Sequence, residues 1–457
     1  MKDNNTTDEI LNGNMINAIL GLAVPIMLNS LLQTFYNLTD AFWLGRLGTD
    51  ELAAINLVSP IQNIIINIGS GITVAALVLI SQLIGAKKLQ EARMMANQAF
   101  CCAILFAVAL GSIVAFFSKG IVGWLGAEGD VYRFAKTYMT LCLLDIPFLF
   151  CVNIYDAIHK AQGDSVRPLF MNFLGISINM VLDPLLMIVF KWGVAGAALS
   201  TVFAKFVPAC ICFVLLHNRA QDIYLDLRHT KFEKDKLLQI ASIGFPSAIG
   251  GSTMQLGFLL MTKTVLTYGT TAMAAYGIGN KVNGLISLPS NGIGSAVATI
   301  VGQNYGAGQL DRVKRGYILA RRMATVFLLV GGMILSRPVI STAIVSIFSD
   351  DPEVVSMAAD FLSVMAFWCF TNATHNTTTG LFQGSGHTEV TMISDIVRLW
   401  GFRFATLFFC EKILNMGVRS VWYSVVVSNG LCAFCLWLVY LTGYWKKPRN
   451  NKKTKEQ

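Results

Sequence analysis

Apolar residues run along this chain in long blocks parted by short polar breaks. The blocks cover 16–44, 52–84, 99–125, 134–158, 168–190 and 194–216, then 237–266, 272–301, 316–347, 354–381, 390–409 and 418–444. Each reaches the ~20 residues that carry a helix across bilayer hydrocarbon at 1.5 Å per residue. The pattern therefore predicts an all-α polytopic membrane protein of about twelve transmembrane helices. Strands of a membrane barrel would alternate over roughly ten residues, and no such alternation occurs. Composition agrees: 54% of the 457 residues are hydrophobic and 13% charged, too little charge to cover a soluble domain of this size. The lipid bilayer is the expected surrounding.

Charge sets the expected orientation. Lys87, Lys88 and Arg93 follow the second block, Arg219, Arg228, Lys231, Lys234 and Lys236 the sixth, and Arg312, Lys314, Arg315, Arg321 and Arg322 the eighth. "KKPRNNKKTK" follows the twelfth, whereas alternate loops such as "GAEGDVYR" are mixed in sign. By the positive-inside rule both termini are cytoplasmic. The polar residues 1–15 lack the basic start of a signal peptide and read as a cytoplasmic tail, with 446–457 a second, basic one. A net charge of +9 confined to such loops is no argument for a nucleic-acid partner. The plasma membrane is the expected location. Ten cysteines lie within apolar blocks; Cys432 and Cys435 have CxxC spacing, but no second pair completes a zinc site, so no structural metal is expected.

The chain also repeats itself. "PIMLNSLLQTFYNLTDAFWLGRLGTDELAA" laid over "PSAIGGSTMQLGFLLMTKTVLTYGTTAMAA" puts Pro25 on Pro246, and the register continues to Gly85-Ala86 on Gly306-Ala307. The halves 16–217 and 237–445 then read as homologous six-helix bundles, an N-lobe and a C-lobe facing a central cleft, joined by the cytoplasmic linker 218–236. Parallel repeats of this kind suit a secondary transporter with alternating access. No pore loop suggests a channel, no "GxxxxGK[ST]" loop suggests ATP, and no catalytic residues are expected.

Polar residues inside the apolar blocks mark the candidate site, because a charge at a helix centre costs about 2.5–3.5 kcal/mol on insertion scales. Gln33, Tyr36, Asn37 and Asp40 form one stripe of the first helix, and Asn179 and Asp183 one face of the fifth. Both aspartates lie at similar depth, as does Thr201 of the sixth helix. Two carboxylates in low dielectric cannot both ionise cheaply, so they take a proton or share a cation such as Na⁺ with neutral oxygens. The plainer alternative is a pair of static interhelical hydrogen-bonders. Asn153 lies nearer the cytoplasmic side and is the weaker member. Pro184 leaves the Met180 carbonyl without its helical donor, and Pro25 gives the first helix a place to bend. In the second half Gln255, Lys281, Asn372, His375 and Asn376 are substrate-cleft candidates, with packing roles as the alternative. Asp395 and Arg398 read as a local ion pair.

The segments "LAVPIMLNSLLQTFYNLTDAFWLGRLGTDELAAINLVSP", "AQGDSVRPLFMNFLGISINMVLDPLLM" with "GVAGAALST", and "VGQNYGAGQLDRVKR" resemble the MATE (multidrug and toxic compound extrusion) family over residues 15 to 445. The resemblance implies a twelve-helix antiporter exporting organic, cationic compounds in exchange for H⁺ or Na⁺, with no cofactor beyond that ion and a monomer sufficient. Asp40, Asp183, Asn179, Tyr36, Thr201 and Pro25 match the DinF-like branch, whose coupling site is in the N-lobe. The alternative is a lipid-linked oligosaccharide flippase of the same architecture, for which basic cleft residues would be expected. An intramembrane aspartyl protease is disfavoured, since "GxGD" and "PAL" are missing.

Overall fold

A computed structural model describes residues 3–229 and 232–448. Met1, Lys2, Lys231 and 449–457 of the basic tail lie outside the described residues. No strand occurs among the described residues. A short helix, α1 (Asp3–Asn12), precedes α2 (Met15–Leu44), α3 (Thr49–Gly85) and α4 (Leu89–Trp124). Next come α5 (Gly129–Cys142), α6 (Ile146–Ala161), α7 (Val166–Pro184) and α8 (Gly193–Leu216). The second half runs α9 (Lys234–Leu266), α10 (Thr270–Gly306), α11 (Leu310–Leu335), α12 (Pro338–Val345) and α13 (Pro352–Gly384). It closes with α14 (Thr388–Ile396), α15 (Phe404–Phe408) and α16 (Arg419–Leu441).

Eight of these helices are long and apolar enough to cross a membrane, and ten spans result if each bent pair is one. Fewer pass than the twelve apolar blocks, for physical reasons. The fourth block is broken between α5 and α6 with a 43° bend, and the tenth bends by 56°. In the eleventh, π-helical turns at Val397–Arg403 and Phe409–Ile413 interrupt the α-helix. A further π turn, Leu185–Val189, follows Pro184, where the proline has removed a backbone donor. Large apolar side chains stay exposed, such as Trp124 at 85% and Phe116 at 82%, as a lipid-facing surface requires.

The repeat is visible in the elements. α3 and α10 both have 37 residues, and α4 and α11 begin at Leu89 and Leu310, in the same register as Pro25 and Pro246. Contacts divide the chain into two compact units, and the division does not fall in the segment 218–236. The first unit holds Leu28–Ala248 with the start of the chain up to Thr7; the second holds Asp8–Met27 and the chain from Ile249 onward. Thus α2 changes unit three residues after Pro25, and α9 three residues after Pro246.

Burial explains why. Ala18, Ile19, Leu22 and Ala23 of α2 share a core with Ile293, Val297 and Ile300 of α10, while Ile240 and Ile243 of α9 sit in the first unit's core. Residues 222–226 of the linker are likewise held against the first unit. Ile223 and Leu225 are buried, Arg93 donates to the Asp222 carbonyl at 2.7 Å, and the Asp226 amide donates to Asn97 at 2.9 Å.

Candidate functional site

Within the first unit, α2, α7 and α8 bring the predicted polar residues together. Asn179 and Asp183 are one helical turn apart, and each is 1% exposed. The Asn179 amide donates to Asp183 Oδ1 at 3.3 Å and to Ser200 Oγ at 3.4 Å. Ser200 Oγ also donates to Asp183 Oδ1, and the Ala197 carbonyl lies within 2.8 Å of the same hydroxyl. Asp183 Oδ2 and Asn179 Oδ1 are buried with no hydrogen-bond partner. The Asp40 carboxyl lies against Asp183, and the Tyr36 hydroxyl against Thr201. Thr201 itself donates back to the Ala197 carbonyl at 3.0 Å.

Beside this group is a cavity of about 30 Å³, walled in part by Gln33, Tyr36, Asn172, Asn179 and Lys205. That volume is enough for about one water or a bare ion and far too small for an organic molecule. Gln33 reaches along α2 to Asn37, its amide donating at 3.3 Å, and Asn37 is exposed. Asn153 is half-buried on α6, but that helix contributes Leu149 and Val152 to the cavity wall, not Asn153.

The candidates of the second unit fall into separate groups. Pro25 lies within the unbroken α2. Asn376 donates to Ser290 Oγ at 3.0 Å and to Asn291 Oδ1 at 2.7 Å, and the Asn372 carbonyl accepts from Ser290 at 3.3 Å. His375 is buried; Arg398 donates to its Nε2 at 3.0 Å, so Nδ1 carries the ring proton, 3.7 Å from Cys432 Sγ. Arg398 also pairs with Asp395 at 2.9 Å, the ion pair the three-residue spacing predicts. Both His375 ring nitrogens are thereby engaged within the protein. Lys281 is exposed and has no ion pair among the described residues, and Gln255 is half-buried on α9.

Five further polar residues matter that the sequence analysis does not single out. Ser200 was hidden behind its neighbour Thr201. Lys205 stands alone in "STVFAKFVPAC", and Asp145 and Asp156 in the fourth block, charges in apolar surroundings that were legible as such. Asp156 accepts from Asn172 at 3.3 Å and lies 3.5 Å from Lys160. Lys205 lines the cavity beside Tyr36 and Asn179. In the second unit the π turn carries Arg403, which donates to Ser428 at 3.1 Å and Asn429 at 3.0 Å.

Taken together, membrane-spanning helices, an internal repeat and a buried polar site define a polytopic membrane protein of transporter type. The family model MatE matches twice, over residues 25–185 and 246–409, once in each half of the repeat. The chain therefore belongs to the MatE family, whose members are transporters and not enzymes. It is similar to the probable multidrug resistance protein YoeA of Bacillus subtilis, 26% identical over 438 residues and 93% of each chain. The probable multidrug resistance protein NorM of Thermotoga maritima is 25% identical, covering 94% of this chain and 93% of its own. The multidrug export protein MepA of Staphylococcus aureus is also 25% identical, with 92% of each covered. Among solved structures, a MATE in complex with MaL6 superposes with a TM-score of 0.90 at 23% identity, covering 96% of this chain and 98% of that one. An outward-facing multidrug resistance MATE family transporter does so at 0.88, with the same identity and coverage. The likeness to both is one of fold.

Proposed function

We propose that this chain is a cation-coupled multidrug antiporter of the plasma membrane, exporting organic cations by alternating access with both termini in the cytoplasm. The observation that carries the reading is the Asp183 carboxylate, 1% exposed, with one oxygen held by Asn179 and Ser200 and a second carboxyl, Asp40, lying against it. A buried acid of this kind in a membrane protein takes up a proton or a cation by default. Loading lowers the negative charge of the pair and changes which conformation is favoured, and Pro25, just before α2 changes unit, gives that helix a place to bend. The relatives' names, multidrug resistance and multidrug export, support small organic substrates, and the acidic character of the site supports cationic ones. Coupling ion and substrate need only differ in their affinity for the two conformations, and a single chain suffices.

The test is efflux of a fluorescent organic cation from proteoliposomes under an imposed pH gradient and, separately, a sodium gradient. The expected result is transport driven by one gradient and lost in Asp40→Asn and Asp183→Asn. Unchanged gradient dependence in both variants would refute carboxylate coupling. Movement of a labelled lipid in place of the organic cation would favour the flippase alternative.

A further inference from the structure

We propose that the second unit carries a binding site for the phosphate of an anionic phospholipid, formed by Arg312, Arg315 and Lys446 beside the start of α11. The site is separate from the coupling carboxylates and does not rest on the coupling reading.

The three bases line one cavity of about 810 Å³, together with Met15, Leu310 and a single acid, Asp311. All of these residues belong to the second unit. Two of the bases are held in place by the fold. Arg312 donates from Nε to the Ile10 carbonyl at 3.0 Å, and from Nη2 to the Glu9 and Gly13 carbonyls at 3.2 and 2.7 Å. Lys446 belongs to a turn, Tyr444–Lys446, anchored by the buried Trp445 and by the Tyr305 hydroxyl, which donates to the Lys447 carbonyl at 3.0 Å. Arg315 is exposed. Three bases thus share the wall with one acid, and among the described residues none of the four is in an ion pair.

The repeat shows that this basic wall is not a requirement of the helix start. Stepping back 221 residues puts Arg312 on Glu91, Lys314 on Arg93 and Arg315 on Met94. In the first unit the chain itself engages those positions. Glu91 pairs with Lys88 at 3.1 Å, Arg93 donates to the Asp222 carbonyl at 2.7 Å, and Met94 Sδ accepts from Lys236 at 3.5 Å. The stretch that follows the second unit has Arg449, Lys452, Lys453 and Lys455 against Glu456, the wrong sign to complement the wall. The anion has to come from outside the chain.

A phosphate suits the wall, and a lipid suits the place. The planar fork of arginine matches two phosphate oxygens, and lysine adds a movable point charge. Basic pockets at the ends of membrane helices take anionic headgroups, and the half-buried Met15 and Leu310 offer apolar surface to the glycerol end of an acyl chain. A headgroup bound there joins α11, the first turn of α2 and the turn after α16.

The experiment titrates lipid into the purified, delipidated full chain in detergent and reads thermal unfolding. Phosphatidylglycerol should stabilise wild type at concentrations about tenfold below those needed of zwitterionic phosphatidylcholine. R315Q/K446Q should need about tenfold or more phosphatidylglycerol, with little change in stability without lipid, since both side chains are exposed. K87Q/K88Q removes the same charge from exposed positions of the first unit and should leave the titration unchanged, as should the charge-retaining R315K/K446R. An equal loss in K87Q/K88Q would mean diffuse attraction to net charge and overturn the site. So would an unchanged titration in R315Q/K446Q, or in R315Q alone should the double variant fail to fold. Stabilisation by glycerol phosphate at the same concentration as the lipid would give the site to a soluble phosphate compound and overturn the lipid assignment.

Discussion

Gly71 of α3 and Gly244 of α9 meet backbone to backbone: a Cβ on Gly71 would overlap the Gly244 carbonyl, and one on Gly244 would lie 2.9 Å from the Gly71 oxygen. At the equivalent point of the repeat, 221 residues on from Gly71, a Cβ on Gly292 of α10 would stand 3.0 Å from the Ala23 carbonyl of α2. Each contact joins the first half of a proline-containing helix to the unit in which that half is buried. Small residues at such crossings let membrane helices approach closely, where packing is the main attraction.

Gly71→Leu and Gly292→Leu should each lower stability by about 1–3 kcal/mol through overpacking. Thermal unfolding in detergent measures this. A tolerated leucine at both positions would mean the crossings are looser than the backbone contacts indicate.

Ser200→Ala removes one donor from the Asp183 carboxylate. A hydrogen bond to a charged group is worth about 1.5–3 kcal/mol, so apparent affinity for the coupling ion should change by about tenfold or more. Gradient titration of efflux reads the change, with Asp183→Asn expected to abolish the response altogether.

In the second unit, Arg398→Met strands Asp395 and withdraws the donor from His375. Breaking a buried pair by deleting one partner costs about 3–5 kcal/mol, so this variant should unfold well below wild type. His375→Gln keeps an acceptor for Arg398 and should retain gradient-driven efflux. Loss of coupling in a well-folded His375→Gln would give the histidine a proton-carrying role instead.

Arg93→Ala deletes the bond to the Asp222 carbonyl and the stacking over Tyr224, 4.8 Å from its guanidinium. Together these contribute about 1–2 kcal/mol. The segment 218–236 should open more often and be cut faster by protease added to inside-out vesicles. An unchanged cutting rate would show that Ile223 and Leu225 hold it alone.

Part of the site was legible in the chain. Asp40, Asp183, Tyr36 and Asn179 stood out because charge and amide groups are expensive in lipid and recur at helical spacing. Ser200 and Lys205 carried the same signal more weakly. A serine beside a threonine does not say which faces the acid, and a lone lysine in mid-helix does not say which neighbours it meets. His375 looked available in the sequence, and only its neighbours Arg398 and Cys432, from two other helices, show that it is engaged.

Hydrophobic block length determined the membrane-spanning class of this chain, since nothing shorter crosses hydrocarbon. The register between its halves determined the repeat. Tertiary structure alone decided where the units divide, because side chains from distant helices choose which core receives the first half of α2 and of α9. It decided too that Asp222 of the linker docks on Arg93 and that Lys205 lines a water-sized cavity with Tyr36 and Asn179. Those outcomes depend on which faces meet, and spacing along one chain does not encode the partner across from it.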